Sequence, residues 1–407
     1  MSAPVIQGWC PGALRPMMSG DGLVVRIRPR NNSLTAAQAC GLAEAAIRYG
    51  NGFLSLSNRA NINIRGVTPE GHADLLSDLV SLGLVDPDAE TEARRNILVN
   101  PIRPHFPGDP DLYPNVAVAD ALAEALAAAD APRLPGKFGF VVDLGRGLRR
   151  LAQDIGDIRI ESADTGWYDM VLRADGMPTG RLVTRDTAAG LAIEMARWFI
   201  ASGGVGADGR GRMRDHIARG ARPPAALAGD VLPARPAMPP RPGSSAGGLL
   251  VAFAFGQVRA EKFDWLARAG GSIRLTPWRM IYFSSGFKVR RGLTFDRDFI
   301  TSPDDPLLRV VACTGAPGCP QAHAATRAFA RAIAPSVPAG TLLHVSGCAK
   351  GCAHPGKADF ALTAMPGGFN MARNATAAEA AAGQCDLPED PSDMSHLFAR
   401  SPATETP

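Results

Sequence analysis

The chain has 407 residues, a length that calls for two or three domains rather than one. Hydrophobic residues at 46% and charged residues at 20% exclude a wholly disordered chain, and a net charge of +4 without a basic run argues against nucleic acid as a partner. No apolar stretch reaches the length of a membrane span, and the first residues lack a basic region followed by an apolar run, so a cytoplasmic protein with no membrane partner is expected.

In chain order, Leu23–Arg28 reads as a strand of β-branched residues. Thr35 and Gln38 form a capping box that opens an Ala- and Leu-rich helix ending near Gly50. Phe53–Ser57 and Asn61–Arg65 follow as a strand pair, the second with strict period-two alternation. Thr68 and Pro69 open another helix, with Pro at its first position. The order is β-α-β-β-α. It returns with Gly248–Phe255 as a strand, a helix over Glu261–Ala269, and the strand pair Ser272–Thr276 and Arg279–Phe283. That repetition predicts an internal duplication whose two half-domains pair, because either sheet alone leaves one face uncovered.

An α/β segment follows each copy. The first holds an Ala-rich helix over Val118–Ala129, the strand Phe138–Asp143 and a helix over Asp186–Ala201. The second runs from Leu307 to Met365, with a helix predicted over Gln321–Ala334. The expected division is 1–93 for the N-terminal segment and first half-domain, 94–221 for the first α/β domain, and 222–247 for a Pro/Gly/Ala-rich extended linker. Then come 248–304 for the second half-domain, 305–370 for the second α/β domain, and 371–407 for a tail. Gly204-x-Gly206-x-x-Gly209 matches a dinucleotide fingerprint in letters only. It follows a helix rather than a strand, so it reads as a glycine-rich loop.

Seven cysteines in a cytosolic chain are not a disulfide framework. Cys10, Cys40 and Cys385 are scattered, whereas Cys313-x5-Cys319 and Cys348-x3-Cys352 are bunched. Four soft thiolates suit an iron–sulfur cluster or zinc. The five-residue spacing is long for a zinc knuckle, and the surrounding glycines let backbone N–H groups approach cluster sulfurs. Arg26, Arg28 and Arg30 alternate, which would aim three guanidinium forks at one face, with Arg59 and Arg65 at the ends of the neighbouring strand pair. Such a face binds carboxylates or is a solvated surface.

The segment Ser346-Gly-Cys348-x3-Cys352-x6-Asp-Phe-Ala-Leu362 resembles the cluster signature of the sulfite and nitrite reductase family. The resemblance implies duplicated ferredoxin-like half-domains with two α/β reductase-type domains. It also implies that Cys313, Cys319, Cys348 and Cys352 hold a [4Fe-4S] cluster, and sirohaem as a further cofactor where the activity is sulfite or nitrite reduction. By the same resemblance Arg28, Arg95 and Lys137 match the family's anion clamp. Its second lysine is replaced by Gly139, which argues against those two activities. The stretches Gly8–Gly22, Val24–Arg30 and Ser57–Gly66 are similar to the branch of the family that makes precorrin-3B in aerobic cobalamin biosynthesis. That branch implies precorrin-3A and O2 as substrates, with Arg26, Arg28, Arg59, Arg65, Arg95 and Lys137 as the binding set. It further implies a mononuclear non-haem iron and an external electron donor, either an NADH-linked reductase or a ferredoxin-like protein. His105, His323, His344 and His354 are candidate iron ligands, but no pair has a facial-triad spacing and none is assigned.

Overall fold

The computed structural model describes residues 11–102, 114–145, 147–245, 248–284, 293, 298–383 and 398. His105, Cys10 and Cys385 lie outside the described residues.

The first half-domain builds a sheet in the order Met17–Ser19, Gly22–Ile27, Ile62–Val67, Phe53–Leu56, and its last place is taken by Gln257–Arg259 from the second copy. The second sheet runs Gly243–Ser245, Gly248–Ala252, Met280–Phe283, Ile273–Leu275, and takes Ser33–Leu34 from the first copy. Each half-domain thus completes the other's edge, which removes an unpaired row of backbone groups from both. The helices Ala36–Tyr49 and Ala260–Gly270 pack against each other on the shared core. The first begins at the anticipated capping box, where Thr35 Oγ1 accepts from Gln38 N (3.2 Å) and Gln38 Oε1 accepts from Thr35 N (3.0 Å).

The duplication reaches the backbone dihedrals. Just before each exchanged strand two consecutive residues are left-handed, Asn31 with Asn32 in one copy and Phe255 with Gly256 in the other. The turn before the last strand repeats the device with Ala60 and Arg279. Bulky L-residues visit this region rarely, so the repeated geometry is imposed by the fold.

The two α/β units repeat as well. Strands Ile97–Val99, Phe140–Asp143 and Ile158–Ser162 are parallel, and Met170–Ala174 joins antiparallel. Strands Val310–Ala312, Leu343–Ser346 and Ala358–Met365 are parallel, and Gly368–Ala375 joins antiparallel. The helix Ala377–Ala381 packs on that last pair, so this unit continues past residue 370. In the first unit the buried carboxylate of Glu161 ties the sheet together, accepting from Arg149, Arg159 and Arg173.

Some boundaries move for local reasons. The strand Gly22–Ile27 stops before Arg28 because Pro29 follows. The helix after Pro69 starts at Gly71, since Thr68 Oγ1 is used as the acceptor for Gly71 N (3.0 Å). The helix expected from Gln321 spans only Thr326–Ile333, because residues 320–325 brace the cysteine loops instead. The Pro-rich stretch is extended but tied down: Ala234 N donates to Ser162 O (2.7 Å) and Asp164 N to Leu232 O (2.9 Å). The glycine-rich loop turns from the helix Arg185–Ala201 into the short helix Met213–Ala218. Among the described residues no helix is long and apolar enough to cross a membrane.

Candidate functional site

The cysteine loops spring from the C-terminal ends of two adjacent parallel strands, Cys313 after Val310–Ala312 and Cys348 after Leu343–Ser346. Loops at this end of a parallel sheet converge on one crevice. Short hydrogen bonds lace them together: Cys319 N to Gly315 O (2.9 Å), Ala316 N to Ala324 O (2.9 Å), His323 N to Gly347 O (2.8 Å) and Ser346 Oγ to Cys348 O (2.7 Å). Gly347 donates its N–H to Cys313 Sγ (3.2 Å). A Cβ on Gly347 would lie 2.7 Å from Ala322 Cβ and 3.4 Å from that sulfur, so glycine is what lets the backbone approach the thiol. Burial pushes the Cys352 thiol up. Lys350 opposes that shift, and Cys313, Cys348 and Cys319 add to it, which places all four sulfurs in one neighbourhood.

Four thiols together, with a glycine N–H aimed at one sulfur, fit a cluster of iron and sulfide. Among the described residues no three His, Cys, Asp or Glu side chains could hold one metal ion. The same observation bears on a mononuclear iron: the described residues offer no facial triad. His344 is fully buried with neither ring nitrogen partnered, and its ring lies 5.8 Å from another imidazole, His354. Burial, and secondarily His354, holds His344 down to about 4, so it is neutral at physiological pH.

Cations surround the thiols. Arg327, on the helix that follows the first loop, is pushed down to about 10 by burial, with Arg65 and Arg279 adding to the shift and Cys313 opposing it. Arg65 joins the first half-domain to the loop itself. Its Nη2 donates to Gly318 O (3.0 Å), Ser19 Oγ (2.8 Å) and Asp21 Oδ1 (2.7 Å), while Nε reaches Asp21 Oδ2 (3.2 Å).

From this tie a polar row crosses the first sheet. Register places Arg26 opposite Asn63, Asn63 opposite Ser55, and Ser55 opposite Gln257. Directly paired residues point to the same face, so the four side chains stand together. Arg26 Nε donates to Asn63 Oδ1 (2.9 Å) and Asn63 Nδ2 to Ser55 O (3.3 Å), while Ser55 Oγ is buried with no partner. The corresponding row of the second sheet is Leu250, Tyr282 and Arg274. That face is closed: Leu250, Ala252, Met280 and Tyr282 pack on Ile102 and Ile300, and Arg274 donates to Pro101 O (3.2 Å). One copy of the duplicated sheet carries a polar face beside the cysteines, and the other spends the same face on packing.

The six arginine and lysine candidates do not share one surface. Because the strand ends at Ile27, Arg28 and Arg30 do not continue the alternation that Arg26 begins. Arg28 is buried and donates to Glu92 O (2.7 Å) at the end of the helix Ala89–Arg94. Arg95 is buried in a two-pronged pair with Asp86 (2.7 and 2.8 Å) and donates to Arg28 O (2.7 Å). Arg59 and the exposed Lys137 meet at a seam with the first α/β unit, where Arg59 Nη2 donates to Lys137 O (3.3 Å). A Cβ on Gly139 would sit 2.6 Å from Arg59 Nη1, so a lysine at 139 would have to displace Arg59. Arg26 and Arg65 are the candidates on the polar face. The residues missed from sequence are Asn63, Ser55, Gln257 and Arg327. The alternation of Asn61–Arg65 already put Asn63 with Arg65; Gln257 arrives only through the strand exchange.

A family model described as "Nitrite/Sulfite reductase ferredoxin-like half domain" matches residues 15–82, which is the first half-domain. A protein of Sinorhizobium sp named "Precorrin-3B synthase" is 31% identical over 402 residues, an alignment that spans 92% of this chain and 84% of that protein. The structure of the Mycobacterium tuberculosis NirA protein superposes with a TM-score of 0.63 at 17% identity, covering 86% of this chain and 74% of that one, and so shares the fold.

Proposed function

The chain belongs to the precorrin-3B synthase family, and from that premise we propose how its geometry serves the oxidation of precorrin-3A. It is an enzyme of cobalamin biosynthesis. On our reading it is a cytoplasmic monooxygenase. One oxygen atom of O2 enters the macrocycle as the C20 hydroxyl while the ring A acetate closes a lactone. The other leaves as water, taking two electrons and two protons from an external donor, an NADH-linked reductase or a ferredoxin-like protein.

Precorrin-3A is a flat tetrapyrrole rimmed by acetates and propionates. The polar row is suited to one edge of it: Arg26 offers a guanidinium to a carboxylate, and Asn63, Ser55 and Gln257 offer amide and hydroxyl groups. The observation that supports the reading is the row itself, Arg26, Asn63, Ser55 and Gln257 in register on one face of the first sheet, where the second sheet carries Leu250, Tyr282 and Arg274. Cys313, Cys319, Cys348 and Cys352 would hold a [4Fe-4S] cluster, which when bound stores and passes single electrons. Arg65 and Arg327 place positive charge beside the first cysteine loop. Arg65 also fixes the distance between the loop and the sheet face. No step is assigned to a mononuclear iron, because the described residues do not gather its ligands.

Sulfite or nitrite reduction with sirohaem is the second reading, and Gly139 speaks against it: Arg59 fills the space that the clamp's second lysine needs. One experiment separates the two. The anaerobically purified protein is incubated with precorrin-3A and reductant, and O2 is then pulsed in. The expected product is heavier than the substrate by one oxygen atom. Unchanged substrate with an intact cluster spectrum would overturn the proposal.

A further inference from the structure

A cavity of about 630 Å³ lies on the far side of the cysteine-bearing sheet, between the second half-domain, the Pro-rich stretch and the N-terminal ends of the strands Val310–Ala312 and Leu343–Ser346. Its walls include Phe253, Phe255, Trp278 and Pro240, and two guanidinium groups, Arg279 and Arg309. The volume is that of a small-molecule pocket.

The duplication shows why it is open. Arg95 stands two residues before the strand Ile97–Val99, and there it plugs the corner between half-domain and α/β unit with its Asp86 pair. The same place before Val310–Ala312 is Leu308, which is exposed, so the second copy has no plug. Among the described residues neither Arg279 nor Arg309 is ion-paired, although Asp304 and Asp305 share the cavity wall with them. Arg309 Nε is buried and has no hydrogen-bond partner. The Arg279 guanidinium is held below its usual range by burial, and its charge is felt by Arg327 on the cysteine side. Nearby Asp305 uses its carboxylate to cap Leu307 N (2.9 Å), and Asp304 is exposed. A shielded donor with no partner, such as Arg309 Nε, gains from a bound anion.

We propose that this cavity binds an aromatic mononucleotide, its flat ring against Trp278 and Phe255 and its phosphate between Arg279 and Arg309. Paired guanidinium forks suit a phosphate dianion, and the aromatic and proline walls suit a flat apolar ring. The inference stands apart from the substrate assigned to the polar face.

The test uses the purified holoprotein and titrates flavin mononucleotide and riboflavin, followed by quenching of flavin fluorescence. The two differ only in the phosphate. Saturable binding of the mononucleotide is expected, with riboflavin at least about tenfold weaker, because charge-assisted hydrogen bonds are lost. Arg309→Met should bring the mononucleotide down to the riboflavin level, and Arg309→Lys should recover part of the difference. Arg279→Met should act in the same direction, and an unchanged melting temperature and cluster absorption certify each variant's fold. The proposal is overturned by equal binding of the two flavins, by wild-type affinity in folded Arg309→Met, or by no saturable binding below about 1 mM.

Discussion

Arg65→Met should loosen the first cysteine loop without unfolding the protein. In the wild type, Gly318 O accepts from both Arg65 Nη2 (3.0 Å) and Ser19 Oγ (3.0 Å), and Arg65 also holds Ser19 Oγ (2.8 Å). Removing the guanidinium takes away one charge-assisted bond, worth about 1.5–3 kcal/mol net, and frees Ser19, whose own bond is worth about 1 kcal/mol. The Asp21 pair adds little, because both partners are partly exposed. The local loss is therefore about 2.5–4 kcal/mol, which raises the open fraction of the loop roughly 60- to 700-fold. Hydrogen exchange measures this directly. The Cys319 amide, bonded to Gly315 O in the closed loop, should exchange faster by that factor, while Val141 in the core of the first α/β unit stays at the wild-type rate. Equal exchange at Cys319 in the two proteins would refute the role assigned to Arg65. Arg65→Lys should fall between, since one ammonium cannot span Asp21 and Gly318 together.

Cys313→Ser should abolish the iron and acid-labile sulfide content and the broad visible absorption of the anaerobically prepared protein; retention of both would remove Cys313 from the ligand set. Arg26→Met should weaken precorrin-3A binding by about tenfold or more with an unchanged melting temperature. Arg95→Met should do the reverse: losing its buried partner leaves Asp86 uncompensated, at about 3–5 kcal/mol of stability in a urea titration. Glu161, held down to about 2 chiefly by Arg159 and Arg173 against the penalty of burial, sets an acid limb. Its folded pKa is depressed, so its contribution of about 3 kcal/mol is complete above the unfolded value near 4.3 and is lost as pH falls toward about 2. Glu161→Gln should lack that part of the pH dependence of the urea midpoint. An identical acid limb in the variant would show that the arginine knot contributes nothing to it.

The β-α-β-β-α repeat and the four cysteines were legible because each is a local signal: a period of two or 3.6, a capping box, a spacing of like ligands. The strand exchange was not. Ser33–Leu34 and Gln257–Arg259 are too short to carry a periodicity, and their partners lie in the other half of the chain. That exchange is what brings Gln257 beside Ser55. The arginines misled for a related reason. Alternation predicts a shared face only while the strand lasts, and Pro29 ends it one residue after Arg28. Arg28 and Arg95 then serve as buried ties, where an arginine on paper looks the same as one that meets a substrate. Arg327 gave no sign in sequence because its helix begins five residues later than the apolar pattern suggests.

The site is divided between the two copies. The thiols belong to the second copy's α/β unit, the polar row to the first copy's sheet, and the Gln257 end of that row to the second copy again. Neither copy carries this arrangement alone. A face that leaves Ser55 Oγ buried without a partner weakens the sheet that carries it, whereas the matching face buries Leu250, Tyr282 and Met280 with Ile102 and Ile300. Because the sheets are stitched through exchanged strands and share one core, packing in the second offsets the unsatisfied polar row in the first. On the proposed reading, duplication separates stability from binding. Tyr282→Asn on the packed face should accordingly lower the melting temperature and leave tetrapyrrole affinity in the folded fraction intact, whereas Asn63→Leu on the polar face should raise or preserve the melting temperature and lower affinity. Were both substitutions to cost stability alike and leave binding untouched, the polar row would be an ordinary part of the scaffold, and the docking face would have to be sought at the Arg59–Lys137 seam.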